Sequence, residues 1–285
     1  MSENREVKSD VFSMLMENKV YALEVYNALK GSDYTDPELV EIQELERFIS
    51  LSMRNDASFI VDMNLEIYEH QSTHDPNMPL RSLIYVAGIL RKNISTTDLL
   101  SRKRIMIPTP HFVVFYNGQA NRPAMETLRL SDSYENNDEE PMLELVCTVI
   151  NINTGKNDEF LEKCSVLSQY TQFIDKVREF ECLNFEEPIK EAIKWCIENG
   201  ILVEFLKDRG QEVIKAMTID MTWERREQLI RRDEREAGRE EGREMLLVEM
   251  VINALKNKHT PEEIAQFMGI EQDTVFKIQN EYMKL

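Results

Sequence analysis

The sequence lacks any apolar run that approaches the roughly 18 residues of a membrane-spanning helix. Residues 1–8 are polar and contain no apolar core of the kind found in signal peptides. We therefore expect a protein without a membrane partner that resides in the cytoplasm.

Cysteine and histidine are scarce, with four residues of each type in 285. No two cysteines have the C-x-x-C spacing, and no histidine pair complements them as zinc ligands. We predict reduced, buried thiols and no structural zinc site. The cysteines are Cys147, Cys164, Cys182 and Cys196.

Basic residues are also few relative to acidic ones: the chain has 34 Lys and Arg and 52 Asp and Glu, which gives a net charge of −18. This balance argues against a general nucleic-acid coat protein. The charge is uneven: residues 131–187 contain 14 acidic and 4 basic side chains, whereas residues 81–104 contain 6 basic and 1 acidic. The basic segment can bind a phosphate backbone or can be an ordinary solvated helix face.

The most informative stretch is residues 56–71, which contains two short β-forming segments separated by Asp62 and Met63. If these two residues form the whole turn, Asp56 lies opposite Glu69, with β-carbons roughly 4.5–5.5 Å apart. Gln71 shares the face of Glu69, because side chains alternate along a strand. Two opposed carboxylates repel, so this arrangement indicates a bound cation. A three-residue turn would shift the pairing by one and remove the argument.

The remaining pattern predicts a mixture of helices and strands in three parts. Residues 1–155 form a core with a sheet, 156–220 are helical, and 221–285 hold a charged helix and a small tail. Apolar spacing predicts helices over 8–29, 79–92, 158–181, 187–199, 202–207 and 221–250. Strands are predicted over 39–45, 111–116 and 143–151, and a loop over 121–140. On helix 79–92, i,i+4 spacing places Arg81 and Tyr85 on one side.

The tail has a helix–turn–helix pattern. Thr260 to Glu263 is a capping box, Gly269 stops that helix, and a second helix follows over 272–283. Residues 221–245 contain 8 acidic and 7 basic side chains that can pair along a helix. Both DNA binding and self-association through these C-terminal helices, giving a homodimer, are open at this point.

Several segments together resemble a known group, the Rpn recombination-promoting nucleases, also described as putative transposases, of the PD-(D/E)XK nuclease superfamily. The resemblance is best over residues 8–131. Its segments are Asp10-Val11-Phe12, Asn55 to Phe59, Leu65 to Thr73, Asn77 to Arg81, Pro108 to Gly118, and the Gly-Arg-Glu-Glu-Gly-Arg-Glu run at 238–244.

This resemblance implies an α/β, restriction-endonuclease-like fold, with a mixed sheet core flanked by helices and a mainly helical C-terminal region. It also implies DNA cleavage with Mg²⁺, for which Mn²⁺ and Ca²⁺ are alternative ions. The superfamily Asp maps to Asp56, its Glu to Glu69, and its usual Lys position to Gln71. Glutamine can orient a water molecule but carries no positive charge.

The implied roles follow from those positions. Asp56, Glu69 and the backbone carbonyl of His70 would hold the metal, while the His70 side chain points to the other face of its strand. Asp10 is an additional candidate ligand, and its alternative role is to stabilise a helix N-terminus. Gln71 would orient the attacking water. The expected DNA contacts are Arg81, Lys103 and Arg104.

Three hypotheses therefore stand. The first is a metal-dependent DNA endonuclease. The second is a non-catalytic, self-associating DNA-binding or regulatory protein that keeps the nuclease fold. The third takes Asp56 and Glu69 as unrelated surface acids.

Overall fold

The computed structural model describes residues 11–43, 56–136, 141–180 and 187–282. For residues 219–233, 236, 237, 240, 241, 244 and 282 it describes the backbone alone. Asp10 and Cys182 lie outside the described residues. The chain divides into two compact units, Met1–Met221 and Thr222–Leu285.

The first unit contains a mixed, six-stranded sheet within the described ranges, in the order β1-β2-β3-β4-β6-β5. Strands β3, β4 and β6 run parallel, and the strands beside them at both edges are antiparallel. The strands are β1 (Glu41–Ile42), β2 (Ala57–Val61), β3 (Asn64–Gln71), β4 (Thr109–Tyr116), β5 (Met125–Arg129) and β6 (Val146–Asn151). The chain is thus of the mixed α/β class.

The predicted two-residue hairpin is confirmed. Ala57 pairs with Tyr68 and Val61 with Asn64, which leaves only Asp62 and Met63 in the turn. Their φ angles are 47° and 63°. Positive φ at both central residues is the turn geometry whose twist matches that of the flanking strands.

Helices cover both faces of the sheet. Residues of α1, α2, α5, α6, α7 and the start of α8 share one core with Phe59, Tyr68 and Phe115 of the sheet. Helix α3 packs on the opposite face, where Tyr85, Val86 and Ile89 share a core with Leu65 and Ile67 of β3. The helices are α1 (Val11–Met16), α2 (Lys19–Lys30), α3 (Met78–Asn93), α4 (Thr96–Leu99), α5 (Asp158–Lys163), α6 (Ser165–Glu179), α7 (Glu187–Glu198), α8 (Val203–Lys256), α9 (Pro261–Met268) and α10 (Gln272–Tyr282).

Two predicted helices are broken in the structure. The predicted helix 8–29 is interrupted before Lys19, because the Asn18 side chain accepts the backbone N–H groups of Val20 and Tyr21 and so starts a new helix. The predicted helix 158–181 divides at Cys164 into α5 and α6. In both places the helical spacing of apolar residues continues across the break. A local hydrogen bond or backbone conformation nevertheless ends the helix there.

Other predictions were wrong in extent. The predicted loop 121–140 contains β5, whose residues alternate in sequence too weakly to predict a strand but pair along β6. The separate helices predicted over 202–207 and 221–250 are parts of one helix, α8. Among the described residues of the strand predicted over 39–45, which exclude 44 and 45, β1 covers Glu41–Ile42. The strand predicted over 143–151 shortens to β6.

The second unit has its own small core. Val251 of α8 is fully buried there. The predicted capping box is present, since Thr260 Oγ1 accepts the Glu263 N–H and Glu263 Oε2 accepts the Thr260 N–H. Gly269, at φ 67°, ends α9 as expected. The remaining core residues are Ile264 and Ala265 of α9 and Val275 and Ile278 of α10.

Within the described ranges, no helix combines the length and the apolar character needed to cross a membrane. Three cysteines, Cys147, Cys164 and Cys196, are buried free thiols, as predicted. Burial raises the pKa of all three thiols, to about 11 for Cys147 and Cys196 and to about 12 for Cys164. These thiols are therefore protonated and unreactive at neutral pH.

Candidate functional site

Strand β3 divides its polar side chains between the two faces of the sheet. Glu69 and Gln71 lie on the face covered by α3 and are only 3% and 8% exposed. His70 lies on the other face, where its ring stacks on Phe12 and its Nε2 is 3.1 Å from the Tyr170 hydroxyl. The His70 side chain is thus directed away from Glu69, as the alternation predicted.

Asp56 immediately precedes β2 and lies beside the end of β3. Its Oδ2 accepts the backbone N–H of His70 at 2.6 Å. The charges of Glu69 and Asp56 both contribute to the raised pKa of Tyr85, after the larger effect of burial. The fold therefore brings Asp56 and Glu69 into one electrostatic environment.

Arg81, from the first turns of α3, lies at the centre of this group. Its Nη2 is 3.3 Å from Glu69 Oε2, and its Nη1 is 3.1 Å from Asp75 Oδ2. The Tyr85 hydroxyl accepts from Nε at 3.2 Å and from Nη2 at 2.9 Å. We call Asp56, Glu69, Gln71, Asp75, Arg81 and Tyr85 the carboxylate cluster.

The cluster fixes the protonation of its basic and phenolic members. Burial by itself lowers the pKa of Arg81, but the charge of Glu69 and the interactions with Tyr85 and Asp75 together outweigh this effect, and the net pKa is raised. Burial, followed by the charge of Glu69, raises the pKa of Tyr85. Arg81 is therefore a permanent cation and Tyr85 a neutral phenol near pH 7.

Gln71 is held in place by the loop that follows it. Its Oε1 accepts the Asp75 N–H at 3.3 Å, which leaves the amide NH₂ group to donate. Its backbone carbonyl accepts the Asn117 N–H at 2.9 Å. Gly118 lies so close to the Ser72 carbonyl that a Cβ there would collide with it, so the close approach of these two loops requires glycine.

Sequence reasoning missed two members of the cluster. Tyr85 was placed on the side of Arg81 by helical spacing, but its role as a hydrogen-bond acceptor was not recognised. Asp75 lies in a loop without periodicity, so no pattern indicated its contact with Arg81. The predicted ligand Asp10 lies outside the described residues.

Lys103 and Arg104 are not brought to the carboxylate cluster. Both are exposed, in the segment between α4 and the start of β4. The backbone N–H of Thr109, the first residue of β4, donates to the Met63 carbonyl. Gln71 pairs with Tyr116, the last residue of β4. The two predicted basic contacts and the cluster therefore lie at opposite ends of the parallel pair β3–β4.

The donor set of the cluster is chemically suited to a hard divalent cation. Asp56 and Glu69 supply carboxylate oxygens, which Mg²⁺ and Mn²⁺ prefer. In the ranges that the structure describes, no three or more His, Cys, Asp or Glu side chains group as metal ligands. A metal here would thus combine two carboxylates with backbone carbonyl oxygen and water, and one of these carboxylates, Glu69, already pairs with Arg81.

A second polar group on the other face of the sheet was not predicted. Glu66 is fully buried, and its Oε1 is 2.9 Å from Lys30 Nζ. His111 is its register partner on β4. Burial lowers the pKa of His111, the charge of Glu66 partly opposes this effect, and Lys30 lowers it further. Lys30 of α2 therefore balances the charge of Glu66, which the sheet would otherwise bury without a counter-ion.

Comparison of the chain with models of known families, with curated proteins and with solved structures found no match.

Proposed function

We propose that the protein is a metal-dependent DNA endonuclease with a restriction-endonuclease-like fold, hydrolysing phosphodiester bonds. The observation that supports this proposal best is the convergence of Asp56, Glu69 and Gln71 beside Arg81 at one end of β3. Two neighbouring carboxylates beside a cation suit both metal binding and phosphate binding.

In this proposal Asp56, Glu69 and the His70 carbonyl hold Mg²⁺ or Mn²⁺. Bound there, the ion supplies Lewis-acid polarisation of a phosphoryl oxygen and a lowered pKa for a coordinated water. The Gln71 amide donates to and orients the attacking water. Arg81 contacts the phosphate next to the scissile bond, which compensates for the absence of a lysine at position 71. Lys103 and Arg104 contact the DNA backbone away from the cleavage point.

The test is cleavage of supercoiled plasmid DNA with Mg²⁺. We expect Asp56→Ala and Glu69→Ala to reduce nicking by roughly 100-fold or more, since each removes a metal ligand. Glu38→Gln is the matched control, because Glu38 is a well-exposed carboxylate paired with Lys19 elsewhere in the first unit. Equal nicking by wild type and both alanine variants would reject the assignment.

The second candidate is a non-catalytic, self-associating protein that binds DNA. It is favoured by the Arg81–Glu69 ion pair, which balances Glu69 without a metal. It is also favoured by the helix–turn–helix arrangement of α9 and α10. This candidate predicts DNA binding without nicking and a homodimer formed through the C-terminal helices, measured by light scattering over a range of concentrations.

A further inference from the structure

We propose that Arg81 is an internal counter-ion that competes with a divalent cation for Glu69, so that metal loading releases its guanidinium for a phosphate group. The inference rests on the proposed function, because it concerns the same cluster. It adds an order of events: the metal binds first, and the site then gains affinity for DNA.

The geometry places Arg81 where a cation bound to Glu69 would lie. Its Nη2 is 3.3 Å from Glu69 Oε2, and that carboxylate side chain is only 4% exposed. A buried carboxylate has few oxygen directions open to a new ligand. A metal that coordinates Glu69 must therefore share the carboxylate with the guanidinium or displace it.

The charges favour displacement. The cluster contains three carboxylates, of Asp56, Glu69 and Asp75, and one guanidinium. A divalent ion between Asp56 and Glu69 repels the guanidinium of Arg81. The same ion offsets the negative charge of the two carboxylates, which repels a phosphate.

Arg81 has a route outward when it leaves Glu69. Its side chain is 27% exposed, and its Nη1 also binds Asp75, which is 30% exposed. Tyr85 is buried, and its hydroxyl accepts hydrogen bonds from Nε and Nη2. The guanidinium can thus turn from Glu69 toward Asp75 and solvent, where a phosphate can reach it.

The first test measures Mn²⁺ alone, by isothermal titration calorimetry, without DNA or activity. We expect Arg81→Gln to bind Mn²⁺ at least about tenfold more tightly than wild type, because a competing positive charge is removed. Glu69→Gln should abolish binding. Arg91→Gln, on the exposed last turn of the same helix, is the matched control and should leave the affinity unchanged.

The second test measures coupling, by fluorescence anisotropy of a labelled DNA duplex with Ca²⁺ as a divalent probe. Linkage requires that a cation which frees Arg81 also tightens DNA binding. We expect Ca²⁺ to raise the DNA affinity of wild type several-fold and to have little effect on Arg81→Gln. Circular dichroism of each variant confirms that its fold is intact.

Unchanged or weaker Mn²⁺ affinity in Arg81→Gln overturns the inference, as does a Ca²⁺ effect on DNA binding that survives this substitution. Failure of the proposed function is a separate result. If wild type nicks DNA but Arg81→Gln binds Mn²⁺ no more tightly than wild type, only the counter-ion role is rejected. If Arg81→Gln binds Mn²⁺ more tightly but wild type does not nick DNA, the counter-ion role is supported and the proposed endonuclease activity is rejected.

Discussion

Glu66 and Glu69 lie three residues apart on β3, so their side chains point to opposite faces of the sheet. Glu69 faces Arg81 of α3, and Glu66 faces Lys30 of α2. Both carboxylates are almost completely buried. At the residue scale, each glutamate pairs with a basic side chain from a helix on its own face of the sheet, because an unpaired buried charge is strongly unfavourable.

This pairing predicts a large stability effect for Lys30→Met. We expect the free energy of unfolding to fall by about 3–5 kcal/mol, since the substitution leaves Glu66 buried without its counter-ion. Denaturant titration followed by circular dichroism measures the loss. Lys19→Met is the control, because Lys19 pairs with the well-exposed Glu38 and its loss should cost much less. Similar losses in the two variants would show that Glu66 does not need Lys30.

At the scale of elements, the β2–β3 hairpin sets the register on which the carboxylate cluster depends. Its turn puts two non-glycine residues at positive φ, Asp62 and Met63. The Tyr34 hydroxyl donates to Asp62 Oδ2 at 2.8 Å and so favours aspartate there. Met63 is 64% exposed and has little packing that would compensate for its backbone conformation.

We therefore expect Met63→Gly to stabilise the protein by up to about 1 kcal/mol, because Asp-Gly suits this turn and glycine adopts positive φ without steric cost. Met63→Val should destabilise it, since a β-branched residue is unfavourable at this φ. Thermal and denaturant unfolding of the three proteins measure both effects. A glycine variant less stable than wild type would contradict the strain assigned to Met63.

At the scale of the whole molecule, each of the two units has a hydrophobic core or cores of its own. The cores of the first unit surround the sheet, and the core of the second joins the end of α8 with α9 and α10. Val251 is fully buried in the second core, whereas Phe267 of α9 is 86% exposed. The two units should therefore respond independently to a core substitution.

Val251→Asp tests this independence, because it places a charge in an apolar core without a partner. We expect hydrogen-exchange mass spectrometry to show lost protection in peptides covering α9 and α10, with protection in β3 and β4 unchanged. Phe267→Asp should leave both units protected. Loss of protection in the strands of the Val251→Asp variant would show that the units unfold together.

Local chemistry in the sequence was sufficient for several elements. The β-forming segments on either side of Asp62 and Met63 predicted the hairpin and, for a two-residue turn, its register. The alternation of side chains along a strand predicted the shared face of Glu69 and Gln71. Pro79 and the apolar spacing after it predicted α3 within two residues of its observed ends. These elements are specified by neighbouring residues, so one segment at a time contains the information.

Tertiary structure alone decided the contacts between distant segments. The sequence determined that Arg81 and Tyr85 share a helix side, but only the packing of α3 on β3 joins them to Glu69 and Asp75. Pairing with β6 makes β5 a strand, and the packing of α2 brings Lys30 to Glu66. Such contacts depend on the relative placement of whole elements, for which local propensity carries no information.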